Sequence, residues 1–281
     1  MDNHKENLAT MTPGDMERLE QDKIIKEKLA GIKRKILVMS GKGGVGKSTV
    51  AAYISLLLSQ RGQEVGLLDV DLHGPSIPRL LNIQGGLEIS RSQGSVKPFR
   101  VSKRLRVVSL DMVLGDMDTA VIWRGPLKIS AIKQFISDIE WGRMDYLIID
   151  SPPGTGDEPL TVAQTIPDAE ALIVTTPQEI ALADVRKSIN FCRQVKLKML
   201  GIVENMSGFS CPHCGEKTSI FGQGGAAKMA EDAGLPLLGE IPLDPTIVDL
   251  GDQGKLVEMT QKGDLEMNRV YNRILDHIEN S

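Results

Sequence analysis

Short apolar runs, mostly separated by helix-sized segments, recur along the chain. Ile36 to Met39, Val65 to Asp69, Val107 to Leu110, Tyr146 to Asp150, Ala171 to Val174 and Leu200 to Val203 lack the strict apolar and polar alternation of a strand with one wet face. Runs buried on both faces and linked by helices form parallel sheets, so the pattern predicts a doubly wound, mostly parallel α/β fold. The first run leads through a glycine-rich segment into a predicted helix from Lys47 to about Gln60, carried by Ala51, Ala52, Ile54 and Leu56 to Leu58 and stopped at Gly62. A last helix is predicted from about Leu265 to Ile278, with an apolar stripe of Leu265, Val270, Ile274, Leu275 and Ile278. Its polar face mixes Arg269 and Arg273 with Glu266, Asp276 and Glu279. A membrane-surface helix would be basic there, so packing against its own sheet is expected.

Residues 1–33 read differently. They are rich in charge, with a thin apolar pattern at Leu19, Ile24, Ile25 and Leu29, and predict a mobile start followed by a charged surface helix. Residues 34–281 then form a single domain, decorated by a stretch from about Gly85 to Lys103 and an insertion at about 207–225. A chain of 281 residues has room for one large domain or two small ones, and 41% hydrophobic with 25% charged residues is ordinary for a soluble core. With 33 Lys and Arg against 37 Asp and Glu the net charge is −4, which offers nucleic acid no basic footprint. No long uninterrupted apolar run is present and the first residues lack a signal peptide's apolar middle, so a cytoplasmic protein without a stable membrane anchor is expected. Three cysteines, an odd number, fit a reducing compartment, and Cys192 reads as a small buried hydrophobe within a helix.

The chemistry concentrates at the ends of the predicted strands, where open α/β sheets bind ligands. Gly41, Lys42, Gly43, Gly44, Val45, Gly46, Lys47 and Ser48 satisfy G-x-x-x-x-G-K-[ST] between a strand and a helix, the context that gives this motif its meaning. Its glycines let successive backbone N–H groups and the helix N-terminus point at phosphate oxygens. Lys47 is expected to reach the β and γ phosphates, Ser48 to take a place on Mg²⁺, and Thr49 to bond the α phosphate. Asp150 closes an apolar strand as expected for the acid that supports the magnesium shell. Asp69 and Asp71 close another, two residues apart, so one can face the nucleotide while Val70 faces the core.

Cys211 and Cys214 form a C-x-x-C pair, half of a four-coordinate metal site. Two chains related by a two-fold axis would complete a Cys₄ set. An iron–sulfur cluster, Zn²⁺ and a redox disulfide all remain compatible with the pair itself. His213, between the cysteines, is not expected to be a ligand.

Lys42, directly after the first glycine, resembles the extra lysine of the deviant Walker A (SIMIBI) ATPases, which include MinD-like cell-division and ParA-like partition proteins. In that class it reaches the partner's nucleotide across a dimer. The segments DVDLHGPSIPRLL, WRGP, DSPPGTGDE, TTPQEIALADVRKSI, VENMSGFSCPHCG and IPLDPTI together resemble the Mrp family of iron–sulfur cluster carrier ATPases, over residues of roughly 35 to 280. The resemblance implies ATP hydrolysis with Asp71 positioning the attacking water, and adenine read by Asn205 with the backbone around Pro242 to Asp244. It also implies a homodimer that bridges one 4Fe-4S cluster through Cys211 and Cys214 and passes it to apoproteins, with cluster-assembly factors as partners. Two departures stand out: residues 1–34 hold no cysteine for the N-terminal cluster of some eukaryotic relatives, and the N-terminal segment is too short for the small extra domain of many bacterial ones. A positioning switch without metal, a zinc-knuckle ATPase and an electron-transferring reductase are the rival readings. The reductase draws its ligands from separate loops, whereas here the cysteines are neighbours.

Overall fold

The computed structural model describes residues 13–71, 74, 76–90, 95–114, 125–211, 214, 216–222, 224–261 and 266–281. The predicted mobile start, Trp123 and Arg124 of the WRGP segment, His213 and Leu265 lie outside them.

The elements run in the order α1 (Pro13–Leu29), β1 (Ile32–Met39), α2 (Lys47–Gln60), β2 (Val65–Asp69), α3 (Ile77–Leu80), β3 (Glu88–Ser90), β4 (Ser95–Lys97), β5 (Phe99–Arg100), β6 (Leu105–Ser109), α4 (Leu110–Leu114) and α5 (Gly125–Asp138). They continue with β7 (Met144–Asp150), α6 (Asp157–Thr165), β8 (Glu170–Thr175), α7 (Glu179–Val195), β9 (Lys198–Ser210), β10 (Lys217–Thr218), α8 (Gly225–Ala233), β11 (Leu237–Leu243), α9 (Pro245–Asp252), α10 (Leu256–Gln261) and α11 (Glu266–Asn280). One sheet has the order β10-β9-β8-β1-β7-β2-β6-β5, with β11 also paired to β9. Pairings among β6, β2, β7, β1, β8, β9 and β11 are parallel, and only the short flanking strands β5 and β10 run antiparallel. This is the doubly wound, mostly parallel sheet that the apolar runs predict.

Consecutive residues of the central strands serve opposite faces. Leu37, Met39, Leu68, Val108, Leu147 and Ile149 belong to a core shared with α1, α5, α6, α7 and α8. Ile36, Val38, Leu67, Val107 and Ile148 belong to a second core with α2, α10 and α11. Each fully buried aliphatic chain contributes about 1.5–3 kcal/mol, and together they fix the strand register that sets the ligand-binding edge.

The structure adds detail to three readings. The N-terminal helix is present, but it is docked rather than merely laid on the surface: Ile25 and Leu29 are buried, and Asp22 pairs with Lys133 of α5 at 2.9 Å, while Leu19 and Ile24 remain exposed. The stretch from Gly85 to Lys103 contains a β3–β4 hairpin whose Val96 is buried in the core. The sixth apolar run does not stop at Val203, because β9 continues to Ser210. Polar residues beyond Val203 end the hydrophobic run, yet β11 pairs with this half of β9 as far as Phe209.

Candidate functional site

The loop after β1 and the first turn of α2 wall a cavity of ≈ 370 Å³, lined among others by Gly43, Gly44, Lys47, Ser48, Thr49 and Asp71. Two of the loop's glycines are dictated by contact. A side chain at Gly41 would place its Cβ 2.3 Å from the carbonyl oxygen of Asp184 on α7. At Gly46 the backbone has φ +81°, and a Cβ would sit 2.2 Å from Asn205 Nδ2. Lys42 does not enter this cavity's wall; its ammonium donates to Gln178 Oε1, just before α7, at 3.2 Å.

Lys47 is buried and bonded to Asp150 at the end of β7, with Asp71 Oδ2 3.6 Å away. Asp150 is fully buried, which pushes its carboxyl above the usual range, while Lys47 and Ser48 favour the ionised form and offset part of that shift. Its Oδ2 has no hydrogen-bond partner. A buried orphan carboxylate oxygen beside the Ser48 hydroxyl is the donor set that a hard divalent cation such as Mg²⁺ takes.

Asp69 and Asp71 diverge, because β2 ends at Asp69 and Asp71 lies beyond the strand's alternation. Asp69 turns inward, accepting a bond from Ser109 Oγ at 3.0 Å and from the Asp71 N–H at 3.1 Å. Burial, followed by repulsion from Asp150, raises its pKa to about 8. Val70 faces the core and Asp71 the cavity, so Asp69 acts on Asp71 through the backbone instead of lining the cleft.

An adjoining cavity of ≈ 210 Å³ brings together Gly46, Thr49, Asn205, Pro242, Asp244 and Tyr271 from four separate stretches of the chain. Asn205 Nδ2 donates to the Val45 carbonyl at 2.9 Å, fastening β9 to the glycine-rich loop. Asp244 caps α9 by accepting from the Thr246 N–H at 2.8 Å. Sequence reasoning missed Tyr271. Its ring stacks on Tyr53 of α2 at 4.2 Å between centroids, and its place next to Val270 in the last helix was the available signal.

Cys211 follows β9 directly, and its N–H donates to Glu216 O at 2.9 Å, closing a hairpin with β10. Cys211 is half-buried and Cys214 exposed. Cys192 is not available to them: it is fully buried in α7 against Met39, and burial pushes its thiol up to about 12.

The chain is similar to known proteins along most of its length. The chain is 47% identical to a cytosolic Fe-S cluster assembly factor, CFD1, of Kluyveromyces lactis, over 90% of this chain and 93% of that protein. It is 44% identical to an iron-sulfur cluster carrier protein of Methanocaldococcus jannaschii, over 92% and 90%. A nucleotide-binding protein from Archaeoglobus fulgidus, solved in complex with ADP, superposes with a TM-score of 0.74 at 42% identity, covering 85% of this chain and 93% of that one. The cell division ATPase MinD of Pyrococcus furiosus shares the fold, with a TM-score of 0.65 at 24% identity over 88% of this chain and 99% of that one. A family model described as the NUBPL iron-transfer P-loop NTPase matches residues 31–279, and the chain belongs to that family.

Proposed function

We propose that this protein is a cytoplasmic ATPase that holds a 4Fe-4S cluster between two copies of itself and delivers it to apoproteins. The observation that carries the reading is the cysteine pair at the tip of the β9–β10 hairpin, on the strand whose Asn205 touches the nucleotide loop. Each chain supplies only two thiols there, since Cys192 is sealed in the core. Four thiolates therefore require two chains, and soft sulfur donors match an iron–sulfur cargo.

The residues divide the work. Loop N–H groups and Lys47 would hold the β and γ phosphates, which requires Lys47 to exchange its contact with Asp150 for phosphate oxygens. Ser48 and Asp150 would hold Mg²⁺, which supplies charge neutralisation on the phosphates when bound. Asp71, at the cavity wall and steadied through its N–H by Asp69, would orient the attacking water. The slot between Asn205, Pro242 and Asp244 fits the base, with Tyr271 in its wall. Lys42, whose ammonium bonds Gln178 in the single chain, would cross to the partner's nucleotide in the dimer. The relatives named as cytosolic assembly factors support the compartment and point to apoproteins and assembly factors as partners. Among the described residues no helix is long and apolar enough to cross a membrane.

Anaerobic reconstitution with iron and sulfide, followed by metal analysis and mass measurement of the assembly, tests this. One 4Fe-4S unit per dimer is expected. A full cluster on a monomer, or stoichiometric zinc retained with iron and sulfide present, would reject the bridging cluster.

A further inference from the structure

Between Asn205 and Cys211, β9 departs from regular strand geometry. Met206 has φ +60° and Gly208 φ +76°, and the pairing with β11 shifts register between Ile241 and Leu243. Gly208 adopts its φ freely, but the left-handed backbone at Met206 persists only when the surroundings hold it. What holds it is Glu204, whose side chain is fully buried with both carboxylate oxygens engaged. Oε1 accepts from Ser207 Oγ at 2.6 Å, across the distorted segment, and Oε2 accepts from the Ala226 N–H at 2.9 Å, in the first turn of α8. A buried carboxylate is costly unless it is bonded this fully, and a helix N-terminus is a favourable place for one. Neither role explains why an acid rather than an apolar residue stands inside a parallel sheet.

Its position does. Successive side chains of a strand point to opposite faces, so Glu204 grips α8 and the distorted turn while its neighbour Asn205 grips the nucleotide loop at Val45. The cysteine hairpin begins a few residues further along the same strand. Any displacement of the loop on nucleotide binding therefore reaches a segment pinned at both faces, and its outlet is the hairpin beyond the pin.

We infer that Glu204 is a positioning residue: its bonds to Ser207 and Ala226 couple the nucleotide loop to Cys211 and Cys214, so that nucleotide changes the exposure of the two thiols. The inference rests on the nucleotide-site reading above and deepens the carrier reading by naming how the cargo site is regulated. Its test needs no cluster. Cys192 is buried with a raised pKa, so a chromogenic disulfide reagent added to the full-length apoprotein reports on Cys211 and Cys214 alone. Adding ATP should change their rate of reaction roughly 5-fold or more in the wild type. Glu204→Gln, which can still accept from Ala226 and bond Ser207, should keep that response, whereas Glu204→Ala should bring the ratio close to one while still binding ATP. Should the alanine variant fail to fold, Ser207→Ala removes one contact only and should weaken the response. Equal responses in wild type and a folded alanine variant, no response in the wild type, or loss in Glu204→Gln equal to that in Glu204→Ala would each overturn the inference. A protein that shows the thiol response but never loads iron and sulfide would instead sink the carrier reading, so the two failures are separable.

Discussion

The ammonium of Lys47 is bonded to the carboxylate of Asp150 where an arriving phosphate would take its place, and the pair is almost closed to water, with 6% and 0% of the side chains exposed. On the proposed function, a lysine so placed would exchange one anionic partner for another on binding, and the carboxylate it releases would face the cation that accompanies the nucleotide. Lys47→Ala should thus abolish hydrolysis and remove about 2–5 kcal/mol of nucleotide affinity, as expected when one member of a buried charge pair is deleted. Lys42→Ala should bind nearly as the wild type does and hydrolyse poorly, because in the single chain its ammonium bonds Gln178 outside the cavity wall. Calorimetry with a slowly hydrolysed ATP analogue separates the two. Equal loss of affinity in both variants would remove Lys42 from a cross-subunit role.

Asp71 and Asp150 should fail in different ways. Asp71→Asn keeps the size and most hydrogen bonding of the side chain but loses its basicity, so turnover should fall about 10²–10⁴-fold with Mg²⁺-ATP affinity retained. Asp150→Asn removes a buried anionic donor, so the Mg²⁺ concentration for half-maximal activity should rise. Magnesium titrations of steady-state hydrolysis measure both, and near-normal turnover in Asp71→Asn would dismiss that residue from the chemistry.

The sheet was legible because its strands are buried on both faces, which leaves uninterrupted apolar runs in the sequence. Strands that carry function are harder to read. The second half of β9 is interrupted by Glu204, Asn205 and Ser207, each kept for a bond rather than for burial of apolar surface, so no hydrophobic pattern marks it. β11 buries Leu238 and Ile241 but leaves its other residues partly exposed and carries a proline, so it reads as a motif more readily than as a strand. The strand, glycine-rich loop and helix were legible in order, since Gly41 and Gly46 answer to close contact and Gly44 and Gly46 to a positive φ. The inward turn of Asp69 was not, because strand alternation places two residues on one side without saying which carboxylate finds Ser109. Tyr271 was hidden for a similar reason: an aromatic in an amphipathic helix reads as core, and here its ring serves the core and the cavity at once.

A charge cluster at the opposite end of the sheet makes a stability prediction. Glu170, at the start of β8, accepts from Arg34 Nε at 2.8 Å and from Lys198 Nζ at 2.6 Å, and the same Arg34 bonds the Ile278 carbonyl near the end of α11. Burial alone would raise the Glu170 pKa, but Lys198 and Arg34 outweigh it and hold the carboxyl below its ordinary value of 4.5. A depressed carboxylate contributes stability above its unfolded-state pKa and loses it as pH falls through the folded-state value. Glu170→Gln should therefore cost about 1–3 kcal/mol at neutral pH. Urea unfolding of both proteins should show the difference shrinking below about pH 4, and a constant difference down to strong acid would mean that the lost stability is not electrostatic.

The cysteines decide between metals. In a homodimer of Cys211→Ser or Cys214→Ser, two of four donors become hydroxyl oxygens, which do not ionise near neutral pH and suit soft iron–sulfur chemistry poorly. Cluster content after reconstitution should fall to near the background of the double variant, while ATP binding persists because neither cysteine lines the phosphate cavity. Cys192→Ala should leave cluster content unchanged and lose only packing against Met39, roughly 1 kcal/mol. Mixed dimers sharpen the test. A heterodimer of wild-type and Cys211→Ser/Cys214→Ser chains keeps two thiols from one side, so it should load no stable 4Fe-4S unit if the cluster spans the two-fold axis. Retention of a full cluster by such a heterodimer would show that one chain suffices, and would end the bridging arrangement whatever the metal.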